Sequence, residues 1–157
     1  MNNLGNLIGE LCKVILPIPE ESYKGNSDSE IAVCTLSSLE LLKKIANSNL
    51  LSNISIVGRL LSENRGIDEI IRHVNQNKKI KIIIICGKEV WGHKAGHSLF
   101  KLHKNGFDDN RRIIGSSSPD PILTVSKSQV DYFRNNVNLV DMINETSINK
   151  IEKMITQ

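Results

Sequence analysis

The segment Cys86-Gly87-Lys88-Glu89-Val90-Trp91-Gly92-His93-Lys94-Ala95-Gly96-His97 gathers the side chains of this sequence best suited to chemistry. A neutral imidazole offers one ring nitrogen to a metal while the other donates a hydrogen bond. His93 falls near the expected start of a helix, where the positive dipole end disfavours imidazolium; it is a candidate ligand and equally a candidate cap. His97 follows at the i, i+4 spacing with which two helical histidines grip zinc. The sequence shows no H-E-x-x-H glutamate and no third protein ligand beside them. Glu63 and Glu89 follow two expected strands, and either suits the carboxylate that orients a ligating histidine; a solvated loop charge is the plain alternative for each. Gly87, Gly92 and Gly96 either remove side chains where a flat ligand or a second backbone approaches or serve only the conformation of a strand-to-helix turn, and spacing alone does not separate the two. His103, beside Leu99 and Leu102, reads as packed and hydrogen-bonded, and His73 as a solvated residue at a helix C-terminus.

Other chemistries lack their signatures. There is no G-x-G-x-x-G, no Walker A pattern and no G-x-S-x-G elbow. Cys12, Cys34 and Cys86 are odd in number and widely spaced, so they read as small core residues rather than a disulfide framework or zinc set. Twenty lysines and arginines are interspersed with 17 acidic residues, for a net charge of +3 with 4% aromatics. A nucleic-acid surface would concentrate that charge and add stacking rings, so none is expected. No apolar run approaches the ~20 residues that cross a bilayer. The first seven residues carry neither the basic start nor the apolar block of a targeting peptide, and the expected location is the cytoplasm.

These residues need a scaffold, and 157 residues suffice for a single domain with its own core. An apolar segment, Leu7 to Ile18, ended by Pro17-Ile18-Pro19, belongs to an N-terminal extension over residues 1–27 that packs on or flanks the rest. From Glu30 the pattern is strand then helix, repeated: Ile31 to Leu36, then Leu39 to Ile45 behind Ser37-Ser38; Ile54 to Gly58, then Gly66 to Val74; Ile80 to Gly87, then a helix with Ala95, Leu99 and Leu102 inside that stops at Asn105-Gly106. The near-continuous β-branched run Ile80 to Gly87 predicts the central strand of a parallel sheet buried on both faces. Arg112-Ile113-Ile114-Gly115 reads as a fourth strand, followed by the site loop Ser116-Ser117-Ser118-Pro119-Asp120-Pro121. Ser126 with Gln129 predicts a capping box, Val137 to Val140 a last strand, and Thr146 or Ser147 the start of a final helix. The alternation predicts an α/β fold of three layers with an open, mostly parallel sheet. Ligands bind beyond the carboxyl ends of such strands, so Thr35, Gly58, Gly87 and Gly115 and their loops are expected on one face.

At these residues the sequence resembles the corrinoid-binding A subunit of tetrahydromethanopterin S-methyltransferase from methanogenic archaea. The likeness runs through Ala32-Val33-Cys34-Thr35-Leu36, Glu63-Asn64 with Gly66-Ile67, Cys86-Gly87, Glu89-Val90, Gly92-His93, Gly96, Leu102-His103, Asn105-Gly106, Arg112 to Gly115, Pro121 and Val140-Asp141, in order, over about residues 30 to 150. The resemblance implies a Rossmann-like domain carrying a cobamide, with His93 matching the family's cobalt-ligating histidine. In that family the corrinoid takes a methyl group from N5-methyl-tetrahydromethanopterin and passes it to the thiol of coenzyme M, and the full complex couples the transfer to sodium export. His93-Lys94-Ala95-Gly96 retains the H-x-x-G of the cobalamin signature D-x-H-x-x-G, but Trp91 stands in the aspartate's place, so another group, Glu89 or a backbone carbonyl, would have to orient the ring. His97 stands where the family usually has glutamine. Membrane-bound members end in a transmembrane helix, whereas this sequence runs to Met154-Ile155-Thr156-Gln157 without one.

The expectation is therefore a cytoplasmic corrinoid protein, peripheral to a membrane complex, that carries a methyl group on cobalt and works with other methyltransferase subunits or separate donor and acceptor enzymes. His93 is the expected catalytic residue and cobalt ligand. Thr35, Leu36, Gly58, Glu63, Asn64, Gly87, Glu89, Gly92, His93, Gly115, Ser116 and Pro121 are the expected cofactor-binding residues. A zinc-dependent enzyme using His93 and His97, and a non-catalytic flavodoxin-like regulatory module, are the alternatives.

Overall fold

A computed structural model describes residues 21–157. The apolar segment Leu7 to Ile18, its proline ending, Cys12 and most of the N-terminal extension lie outside the described residues. The chain forms β1 (Ser22–Lys24), β2 (Ile31–Cys34), α1 (Leu39–Ala46), a 3₁₀ turn (Asn49–Asn53), β3 (Ile56–Gly58), α2 (Arg65–Gln76), β4 (Ile82–Gly87), α3 (Ala95–Asn105), α4 (Lys127–Asn136), β5 (Asn138–Ile143) and α5 (Ile148–Thr156). One sheet in the order β1-β3-β2-β4-β5 holds them together, antiparallel only at β1. It is a three-layer, Rossmann-like α/β fold.

The layers follow from side-chain alternation in the interior strands. Ala32 and Cys34 of β2 and Ile83 and Ile85 of β4 face α2, α3 and α4, meeting Ile67, Ile71, Leu99, Leu102, Val130 and Phe133. Val33, Ile84 and Cys86 face the other way, against Leu41, Leu42 and Ile45 of α1 and Ile151 and Ile155 of α5. With both faces covered, the interior strands read as continuous apolar runs. Burial pushes the Cys34 thiol up to about 12 and the Cys86 thiol up as well, consistent with inert core residues.

Three expectations are corrected. The central strand is β2, with β4 beside it, because the short strand from Ile56 and the antiparallel β1 both lie beyond β2. Arg112 to Gly115 does not join the sheet: Ile113 and Arg112 make only isolated bridges, to Phe107 and Ile122. The place beside β4 is taken by β5, paired from Ile82 with Asn138 through Gly87 with Ile143. The segment from Phe107 to Val125 is instead stapled by side chains. Arg111 donates to the carbonyls of Thr124 and Val125, and buried Asp68 of α2 accepts from the Thr124 and Val125 amides. Last, His73 is half-buried, with its imidazole pushed below the ordinary histidine value by burial and then by Lys24, rather than solvated and favoured as a cation. Other expectations hold: Ser126 and Gln129 form the complete capping box of α4, Ser147 is the N-cap position of α5, and His103 packs edge-on against Phe133 while its Nε2 donates to the Val137 carbonyl.

Candidate functional site

The loops after β3 and β4 flank the carboxyl end of β2 because both strands pair with β2 in parallel. The β4 loop is tied down first. Ser38 does not cap α1 with its side chain; its Oγ accepts from the Lys88 amide at 2.8 Å, and Ser37 Oγ donates to the Lys88 carbonyl at 2.8 Å. Gly87 crosses β2 closely at φ +78°, where a Cβ would stand 2.2 Å from the Thr35 carbonyl oxygen. It answers to a second backbone; the left-handed Leu36, at φ +49°, is fully buried with its Cδ1 beside Gly96.

Glu89 caps α3. Its Oε1 accepts from the Val90 and Gly96 amides at 2.8 and 3.0 Å and its Oε2 from the His97 amide at 2.9 Å, placing a carboxylate on the positive end of the helix. Gly96 lets it approach, since a Cβ there would lie 2.9 Å from Oε2. Glu89 is thus the cap and not the orienting group.

That role falls to Glu63. Its side chain is 2% exposed, and its Oε2 accepts from Nδ1–H of His93 at 2.9 Å. Its Oε1 accepts from the Asp120 amide at 3.0 Å, while Asn64, the N-cap of α2, donates to Asp120 Oδ2. The His93 side chain is 55% exposed, and no hydrogen bond to Nε2 exists among the described residues. Facing a carboxylate, Nδ1 holds the proton and Nε2 keeps its lone pair toward open space. The backbone of His93 is held too: buried Ser118 donates from Oγ to the His93 carbonyl, and Ser98 Oγ lies 2.6 Å from Ser118 Oγ and 2.7 Å from Ser116 Oγ.

Glu63, Asn64, Gly92, His93 and Ser116 therefore meet in one cluster, with Thr35, Leu36, Gly87 and Glu89 as its support. Pro121 is buried just beyond Asp120. Gly58 closes β3 and lines a separate cavity of about 300 Å³ on the α2 face of the sheet, and Gly115 packs near Lys101 and Asn105, toward the far end of α3. The i, i+4 pairing of His93 with His97 does not form, because α3 begins only at Ala95; His97 Nε2 instead accepts from the Ser117 amide at 3.4 Å. Among the described residues no three His, Cys, Asp or Glu side chains converge as a metal site. Asp120 and Ser118 lie in the expected site loop Ser116 to Pro121, although only Ser116 and Pro121 of it are expected binding residues, and the sequence reading missed Ser98. Ser98 had a signal, a hydroxyl on the apolar face of Ala95, Leu99 and Leu102.

The family described as the A subunit of tetrahydromethanopterin S-methyltransferase matches residues 15–157. This chain belongs to that family. Among its relatives, the A subunit of the putative methyltransferase Mtx of Methanosarcina barkeri is 38% identical over 90% of this chain and 68% of the relative. The tetrahydromethanopterin S-methyltransferase A subunit of Methanocaldococcus jannaschii is 34% identical over 90% of this chain and 58% of its own length. That of Methanosphaera stadtmanae is 31% identical over 85% of this chain, which spans about half, 52%, of it. As family members go by these names, the chain is a methyltransferase component. No helix among the described residues is long and apolar enough to cross a membrane.

Proposed function

We propose that this chain carries a methyl group on a corrinoid, and that His93 Nε2 would be the protein's ligand to its cobalt. The observation that supports this is the donor set. His93 presents one nitrogen to open space, its ring is anchored on buried Glu63, and among the described residues no group of three His, Cys, Asp or Glu side chains is placed to hold a metal ion. A bare zinc ion needs three or four protein ligands. A metal that brings its own equatorial ligands needs one, so the residues fit a cobamide and do not fit the zinc alternative.

When bound, the corrinoid supplies a cobalt centre that accepts and releases the methyl group; the protein supplies position. Glu63 holds the proton at His93 Nδ1 and so keeps Nε2 a ligand. The Asp120 amide and Asn64 hold Glu63 and its loop, Ser118 holds the His93 backbone, and Glu89 fixes the helix behind it. The exposed side of His93 leaves room for the cofactor. In this reading the donor is methyl-tetrahydromethanopterin or a similar methyl compound, which the relatives' names support; by the family resemblance the acceptor is a thiol such as coenzyme M, other methyltransferase subunits deliver both, and the domain lies in the cytoplasm, peripheral to a membrane complex.

Titration with aquocobalamin, followed by visible absorbance, tests the reading. The parent is expected to shift the cobalt spectrum on binding and His93→Ala to bind without that shift. Identical bound spectra would refute the axial-ligand assignment, and absence of binding by the parent would refute the corrinoid reading.

A further inference from the structure

We propose that Trp91 is a cofactor-contacting residue of the His93 site, its indole supplying apolar contact to the macrocycle whose cobalt His93 would ligate. This rests on the corrinoid reading above. Trp91 is the only tryptophan of the chain and is 96% exposed, whereas the other exposed large apolar residues among those described lie between 37% and 45%. The turn that carries it is rigidly held. Val90 is buried in the core, its amide is held by Glu89, and its carbonyl accepts from the His93 amide at 3.2 Å and the Lys94 amide at 2.9 Å. Trp91 and Gly92 are the two corner residues. Gly92 has φ +79° and Trp91 is not among the positive-φ residues, the pattern of a type II turn.

The first corner of such a turn favours proline, so an indole there contributes nothing to the turn. It presents a large apolar surface to water beside the residue with the free ring nitrogen. A Cβ at Gly92 would meet no residue beyond its two chain neighbours within 4 Å, so among the described residues no other element of the fold packs over this corner of the turn. One turn thus holds a ligating nitrogen and an exposed aromatic side chain two residues apart, with no other described element packed over Gly92 between them. A planar ligand with apolar rim groups satisfies both. Covering roughly half of an indole's ~200 Å² at about 25 cal/mol per Å² corresponds to a roughly 10- to 100-fold gain in affinity.

The test compares parent, Trp91→Ala and Trp91→Phe by equilibrium titration with aquocobalamin, together with oxidation of Trp91 by N-bromosuccinimide read by mass spectrometry. Trp91→Ala is expected to bind roughly 10- to 100-fold more weakly with an unaltered bound spectrum, because His93 still ligates, and Trp91→Phe to recover most of the loss. In the parent, saturation with aquocobalamin is expected to protect Trp91 from oxidation. Unchanged affinity in Trp91→Ala, or full oxidation of Trp91 at saturation, overturns the assignment and leaves the corrinoid reading standing. If the parent itself does not bind aquocobalamin, the corrinoid reading fails and this inference with it.

Discussion

Replacing Glu63 by glutamine changes a single atom and should disable the ligand geometry. The carboxylate serves two donors at once, His93 Nδ1–H at 2.9 Å and the Asp120 amide at 3.0 Å. Glutamine has one carbonyl oxygen. If that oxygen keeps the Asp120 amide, the side-chain NH₂ faces Nδ1; the imidazole must then accept at Nδ1 and carry its proton on Nε2, which ends its capacity to ligate. If the oxygen keeps Nδ1–H, two donors confront each other at Asp120. Exchanging a charge-assisted bond of about 1.5–3 kcal/mol for a neutral one of about 0.5–1.5 kcal/mol loses about 1–2 kcal/mol, and having no bond in its place loses more. That is of the order of a 10-fold loss in affinity for a group ligated by Nε2, at the lower end of the 10–100-fold typical for partners of metal ligands. Long-range ¹H–¹⁵N correlation spectra of the histidines read the tautomer without any cofactor, and aquocobalamin titration reads the affinity. An Nδ1–H tautomer together with unchanged affinity in Glu63→Gln would refute the argument that Glu63 orients His93.

Two further outcomes follow from the scaffold. Gly87→Ala combines a left-handed backbone with a Cβ 2.2 Å from the Thr35 carbonyl oxygen and is expected to cost more than about 3 kcal/mol in urea unfolding, whereas Gly92→Ala, at φ +79° in open space, should cost only about 1–2 kcal/mol; equal costs would contradict the role given to the β2–β4 crossing. Because burial and Lys24 lower the His73 pKa below 6.5, the unfolded chain binds its proton first as the pH falls. The stability that neutral His73 contributes is present above 6.5 and is lost as the pH falls through its lower folded value. His73→Gln should therefore flatten the stability profile as the pH falls through and below 6.5, and an unaltered slope would rule this out.

Much of the fold was legible in local pattern. The β-branched runs from Ile31 and Ile80 and the helical spacing of Ile67, Ile70, Ile71 and Val74 reflect burial periods of two and 3.6 residues, which depend only on near neighbours. The capping box at Ser126 and Gln129 is equally local, and both proved correct. Arg112-Ile113-Ile114-Gly115 had the composition of a strand but no way to signal that the neighbouring place along β4 would go to Asn138–Ile143, because strand pairing is a competition between distant segments.

The candidate site divides along the same line. The sequence by itself determined that His93 sits in a glycine-rich strand-to-helix turn and that Glu63 and Glu89 lie near the ligand end of the sheet, since those follow from residue type and element order. Only the tertiary structure decided which carboxylate meets the imidazole. Glu63 and His93 are 30 residues apart, and their contact exists because β3 and β4 flank β2 in parallel and bring their loops to the same edge. Glu89, four residues from His93 in the chain, is drawn instead to the unpaired amides at the start of α3, which only a formed and packed helix presents.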